Sequence, residues 1–148
     1  MNFQEEHVAL IEEEIKPLLH KHWLEVSHYP DIPLDPDFER YAVMQDQGRF
    51  VVYTARDEGR LVGYIAFALG YNAHYQTSFQ AVQDVLFLDP EVRKGGFGAR
   101  LIAFADRQLK ARGVDVVYQH VKVARDFGPL LERMGYEFID KIYGRRLR

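Results

Sequence analysis

Apolar residues fall into a helical rhythm early in the chain. Val8, Ile11, Ile15, Leu18, Leu19, His22 and Val26 recur at three- and four-residue steps, which predicts a helix over residues 4–27. Pro17 lies inside this pattern and is expected to kink or restart it. Pro30, Pro33 and Pro36 stiffen the loop that follows. Asp35 reads as an N-cap with Pro36 at the first helical position, predicting a short helix over 36–47 that ends at Gly48. Beyond Gly48 the rhythm changes to that of strands. Residues 49–56 and 60–69 read as a pair joined by a turn at Asp57-Glu58-Gly59. Residues 81–88 form another strand, apolar on both faces at its end and so expected at the centre of a sheet. Leu101, Ile102, Ala105 and Leu109 then mark one stripe of a helix over 97–112, closed by Gly113. A strand over 114–121, a helix over 127–134 and a final strand over 136–147 complete the pattern.

The predicted order is αα-βββ-α-β-α-β. The strand-helix-strand unit over 81–121 implies a right-handed crossover to a parallel neighbour, whereas the earlier strands form an antiparallel meander. The fold class is therefore α/β (α+β): a mixed, mostly antiparallel sheet with helices on both faces. At 148 residues this is expected to be one domain, residues 1–148, with one core.

Composition narrows the chemistry. There is no cysteine, which removes disulfides, thiolate metal sites and a cysteine nucleophile, and fits a reducing, cytoplasmic setting. A formal net charge of -3 carries no nucleic-acid signature. The first residues are acidic where a signal peptide would be basic, and no apolar run reaches the ~18 residues of a membrane span. Lys141, Arg145, Arg146 and Arg148 cluster on the last predicted strand, as charges do on a protected sheet edge. Such an edge can also pair across a two-fold axis, so a homodimer is favoured over a monomer. His20 and His22 point about 200° apart on a helix and cannot share a metal, and no metal site is expected.

The informative segment runs from Val85 to Leu101: a buried strand, a turn at Pro90, a basic glycine-rich loop and a helix start. The first amides of a helix lack intrahelical partners and sit at the positive end of its dipole. Glycines let such amides approach a phosphate closely, and Arg93 and Lys94 add charge. The loop has no Gly-Lys-Ser/Thr ending, which argues against a P-loop nucleotide switch, and its glycine spacing does not fit a dinucleotide fingerprint.

Arg93-x-x-Gly96-x-Gly98 resembles the Gln/Arg-x-x-Gly-x-Gly/Ala signature of the GNAT (GCN5-related) N-acetyltransferase superfamily, and the element order agrees over residues 4–147. The resemblance implies acetyl-CoA as acyl donor and an amine of a small molecule or protein as acceptor. It implies that backbone amides of Arg93, Lys94, Gly95, Gly96, Phe97, Gly98 and Ala99 hold the pyrophosphate. Main chain of Leu86, Phe87 and Leu88 would pair with pantetheine in a gap where strands 81–88 and 114–121 splay apart. Asp84, four residues before Leu88, occupies the place of a carboxylate that acts as general base. The Tyr and Asn that many members carry in and before the following helix are replaced here by Leu131 and Ala124. His120, an imidazole of the kind suited to proton transfer near neutral pH, and Tyr118 are the remaining candidates for proton transfer. His74 and Tyr75, in the loop before the central strand, and Tyr29, in the proline loop, are candidates for the acceptor wall. The loss at Leu131 also leaves open a non-catalytic acyl-CoA-binding or protein-interaction module on the same fold.

Overall fold

A computed structural model describes residues 1–148. The elements are β1 (Asn2–Glu5), α1 (Val8–Val26), α2 (Phe38–Asp46), β2 (Phe50–Asp57), β3 (Arg60–Asn72), β4 (Tyr75–Leu88), α3 (Phe97–Ala111), β5 (Val116–Tyr118) and α4 (Gly128–Arg133). Single 3-10 turns lie at Pro90–Val92 and Val123–Arg125. The strands make one sheet in the order β1-β2-β3-β4-β5. The first three pairings are antiparallel, and β4 pairs with β5 in parallel across the α3 crossover.

Strand alternation divides the apolar residues between two faces. Val51, Tyr53 and Ala55 of β2 join Leu101, Ile102, Ala105 and Leu109 of α3 in one buried cluster, which also takes Leu131 of α4. Phe50 and Val52, on the other face, pack with Ile11, Ile15 and Leu18 of α1. Each such aliphatic side chain contributes about 1.5–3 kcal/mol on burial. Arg56 ties the α1 face down by bonding Glu6 at 2.9 Å and Glu14 at 2.8 Å.

Several elements depart from the sequence expectation. Residues 2–5 form an edge strand on β2, and α1 starts at Val8, where His7 Nδ1 accepts from the Ala9 amide at 3.2 Å. Pro17 does not break α1, which is continuous from Val8 to Val26. Both Pro17 and Glu13, whose carbonyl loses its helical partner, face solvent, where water can take up the bond. The cap of α2 is Asp37, whose carboxylate accepts from the Arg40 amide at 2.9 Å, and not Asp35. β4 starts at Tyr75, so β3 and β4 form one long hairpin. The strand expected over 114–121 is only Val116–Tyr118, and residues 136–147 form no strand. β4 is therefore the penultimate strand of the sheet rather than a central one.

Candidate functional site: a parted strand pair and a glycine loop

The site begins where two parallel strands separate. β4 and β5 share three rungs, ending at Val82 with Tyr118. Along β4 the pairing with β3 jumps from Gln83 opposite Phe67 to Val85 opposite Ala66, which leaves Asp84 as the extra residue of a bulge. A bulge bends its strand and increases local twist. Beyond it Val85–Leu88 pairs with β3 alone, and its other side has no ladder partner. Gln83 marks the parting point. It is 4% exposed, and its side-chain oxygen accepts from the His120 amide at 2.8 Å in place of a further rung. Gly63 of β3 lets the end of β4 lie close: a Cβ there would meet Leu88 Cδ1 at 2.6 Å and the Phe87 carbonyl at 2.8 Å.

β4 leads through the Pro90–Val92 turn into the glycine loop. Gly95 and Gly96 adopt φ of 70° and 74°, a left-handed conformation that side chains disfavour. Gly96 is the N-cap of α3 and offers no side-chain cap. The amides of Lys94, Gly95, Gly96, Phe97, Gly98 and Ala99 donate to no acceptor in the protein. A Cβ on Gly96 or Gly98 would meet nothing within 4 Å, so the space before these amides is open. The amide of Arg93 is different, because it donates to the Pro90 carbonyl at 3.4 Å. A diphosphate fits this cradle: six unsatisfied donors, a helix dipole and the Lys94 ammonium all favour it.

The Arg93 side chain, expected to add charge to the loop, is engaged elsewhere. Its guanidinium forks onto Glu25 of α1 at 2.8 and 2.9 Å, and Nε donates to the Leu88 carbonyl at 2.7 Å. It also covers the Phe87 ring at 5.3 Å. Two more contacts fasten the same end of α1. Lys21 donates to Asp89 at 2.9 Å, and His22 stacks on Phe87 with ring centroids 5.2 Å apart. Burial opposes the Asp89 charge, but Lys21 and the Glu91 amide outweigh it and hold the carboxyl below its ordinary range. His22 lies against the Tyr64 hydroxyl at 3.2 Å, and burial pushes its pKa down to about 4. Thus α1 clamps the end of β4 and fixes where the glycine loop begins.

The other candidates are dispersed. Asp84 is exposed and accepts a 2.9 Å bond from the Tyr41 hydroxyl of α2. Burial, followed by the Asp84 charge, pushes the Tyr41 pKa up to about 12, so the phenol stays protonated and keeps donating. Sequence reasoning missed Tyr41; a lone Tyr on a short amphipathic helix gives no signal of a partner 43 positions away. His74, Tyr75 and Tyr118 do come together, around a shallow cavity of about 580 Å³. His120 is exposed, with its amide tied to Gln83. Tyr29 sits apart, under the guanidinium of Arg146 at 5.0 Å. Leu131 is buried in the core, and Ala124 lies exposed in a 3-10 turn.

A parted parallel strand pair followed by an unsatisfied glycine loop at a helix start defines an anion-binding site on a mixed α/β sheet. The Acetyltransferase (GNAT) family model matches residues 12–136, and the chain belongs to this family. Its reaction class is acetyl transfer from acetyl-CoA. No curated protein matches the chain by sequence. Among solved structures it resembles a ribosomal-protein-alanine N-acetyltransferase of Brucella melitensis biovar Abortus 2308, with a TM-score of 0.74 at 17% identity over 99% of this chain and 100% of that one. An aminoglycoside acetyltransferase from an uncultured soil metagenomic sample, in complex with sisomicin, gives 0.74 at 17% identity over 99% and 96%. A predicted acetyltransferase of Clostridium acetobutylicum, with acetyl-CoA, gives 0.69 at 13% identity over 99% and 96%. At these identities the likeness supports the mixed sheet and its flanking helices.

Proposed function

We propose that this chain is a single acyltransferase domain that moves acetyl from acetyl-CoA directly to a primary amine, with Asp84 as the general base. The observation that carries the reading is the set of six unpartnered amides from Lys94 to Ala99, placed at the end of a strand whose outer side is free. These amides would hold the pyrophosphate, and the main chain of Leu86–Leu88 would take the pantetheine arm. Acetyl-CoA, when bound, supplies the acetyl group as a thioester.

The protein's own task is proton handling. An amine acceptor arrives as an ammonium ion and must be neutral to attack. Asp84 accepts that proton, directly or through water, while the bond from the Tyr41 hydroxyl orients its carboxylate. Tyr118, at the last β4–β5 rung, supplies a phenol able to protonate the departing thiolate, with His120 two residues beyond it. His74 and Tyr75 share the Tyr118 cavity. They lie nine to ten residues along β4 from Asp84, about 30 Å of strand, so they reach only a distal part of a large acceptor. A net charge of -3 suits a cationic acceptor.

One observation favours a second reading. Leu131 is packed in the core and carries no proton, which suits a module that binds acyl-CoA without turnover. Kinetics with a panel of primary amines separates the two. Asp84→Asn is expected to lower turnover about 10²–10⁴-fold with acetyl-CoA affinity unchanged. Turnover equal to wild type removes Asp84 as base, and no turnover by wild type on any amine favours the binding module.

A further inference from the structure

The sheet face that carries Asp84 is only half covered. Helices α1 and α2 pack over it as far as Ala66 and Val85. Further along the strands, Ala68 pairs with Val82, and neither joins a core cluster. Gly70 and Gln80 form the next pair on this face. A Cβ on Gly70 would meet nothing within 4 Å, so the space above it is open. Tyr118 of β5, opposite Val82, raises one wall. The intervening Leu69 and Ala81 point the other way, into the α3 cluster.

From this floor the cavity of about 580 Å³ runs out toward Tyr75, and no Asp, Glu, Lys or Arg lines it. Gln80 decides what it can hold. This side chain lines the cavity although the residue is only 9% exposed. Its Nε2 donates to the Ser78 hydroxyl at 3.3 Å, while its Oε1 accepts from no group in the protein. A nearly buried amide oxygen without a donor is costly, so the site suits an uncharged ligand that brings N–H groups. The backbone beside it also lacks partners. β4 carries three extra residues between the pairs Asn72–Tyr75 and Tyr71–Phe79, and the β5 ladder begins only at Gln80. Gln76, Thr77 and Ser78 therefore have no ladder partner on either side. An extended main chain, with alternating N–H and C=O groups, supplies what this edge and Gln80 lack.

We infer that this groove binds an extended, uncharged polypeptide and presents its terminal amine to Asp84. The inference rests on the acetyl-transfer reading and adds the class of acceptor to it. Beyond Asp84, Val85 and Phe87 lie under α1, so a bound chain leaves Asp84 only toward Val82, which places the amine at a chain end. Tyr75 and Asp84 are nine residues apart on β4. That is about 30 Å of strand, the reach of about nine extended residues. A small amine would use Asp84 and leave Gln80 unpaired.

The test pairs turnover with binding. Turnover is measured with acetyl-CoA and either propylamine or C-terminally amidated Gly/Ser/Thr peptides of two, five, nine and twelve residues, each with one free α-amine. Binding of a C-terminally dye-labelled nonapeptide is read by anisotropy. In wild type, kcat/KM is expected to rise about tenfold from dipeptide to nonapeptide and then level off. Gly70→Trp fills the open space, and Gln80→Leu removes the amide at similar volume, which keeps the test valid should the tryptophan disturb folding. Variants that melt cooperatively are expected to keep wild-type kcat/KM on propylamine, to lose the gain with length and to bind the nonapeptide about tenfold more weakly. Equal kcat/KM at every length in wild type overturns the inference. So does a gain with length that survives in both variants. Turnover of propylamine without peptide binding removes the groove and leaves the acetyl-transfer reading. Peptide binding that both variants weaken, in a protein that turns over no amine, upholds the groove and removes that reading.

Discussion

The stretches on either side of α3 obey different physics. Before it, from Leu86 to Phe97, the binding groups themselves come from adjacent residues, a strand end, a proline turn, two left-handed glycines and a run of unsatisfied amides, although α1 fastens their start. After it, from His120 to Arg148, structure depends on what the segment meets. Leu131 turns into the core, Tyr136 donates to Asp106 at 2.6 Å, and the tail meets almost nothing. A binding loop made of backbone groups can be specified by a few adjacent residues. A proton-transfer site cannot, because its members arrive from separate elements.

Leu131 offers the largest break in this comparison. If the downstream region is core rather than catalytic wall, Leu131→Ala lowers stability by about 2–5 kcal/mol, read by chemical denaturation, with acetyl-CoA affinity per folded molecule unchanged. Unchanged stability would return that helix to the active site.

His22 tests the clamp on the cofactor side. Its folded pKa of about 4 lies below its ordinary 6.5, so the neutral ring is favoured on folding. The stability it provides is complete above pH 6.5 and is lost as pH falls toward 4, a change on the order of 3 kcal/mol. Thermal melts across that window are expected to fall steeply for wild type. His22→Phe should flatten the slope, and an equal slope in both would remove His22 as its cause.

Arg93 gives a smaller and sharper effect. Because its guanidinium serves Glu25 and Leu88, Arg93→Ala is expected to cost about 1–3 kcal/mol of stability. Lys94→Ala is expected to weaken acetyl-CoA a few-fold at unchanged stability. The reverse assignment would mean that Arg93, and not the backbone, reads the phosphates.

Much of this was legible in the sequence. The glycine spacing around Gly96, the apolar stripe of α3 and the β2–β3 hairpin all depend on near neighbours, and each is present. The splay was expected, but its devices were not: the Asp84 bulge and the Gln83 side chain act across strands. Pro17 does not restart α1 because solvent exposure, invisible in a local pattern, makes its missing bond tolerable. Arg93 was misread because its partner, Glu25, lies 68 residues away. The last strand failed for the same kind of reason. Its pattern is that of a strand, but a strand exists only when another edge pairs with it.

The central claim is that the amides from Lys94 to Ala99 hold acetyl-CoA. Calorimetric titration of acetyl-CoA into wild type and Gly96→Glu tests it most directly. The glutamate places a carboxylate where the pyrophosphate would lie, at a residue whose φ of 74° already disfavours a side chain. Saturable binding to wild type, weakened a hundredfold or more in a variant that still melts cooperatively, is the expected result. Equal affinity for both proteins would contradict the account.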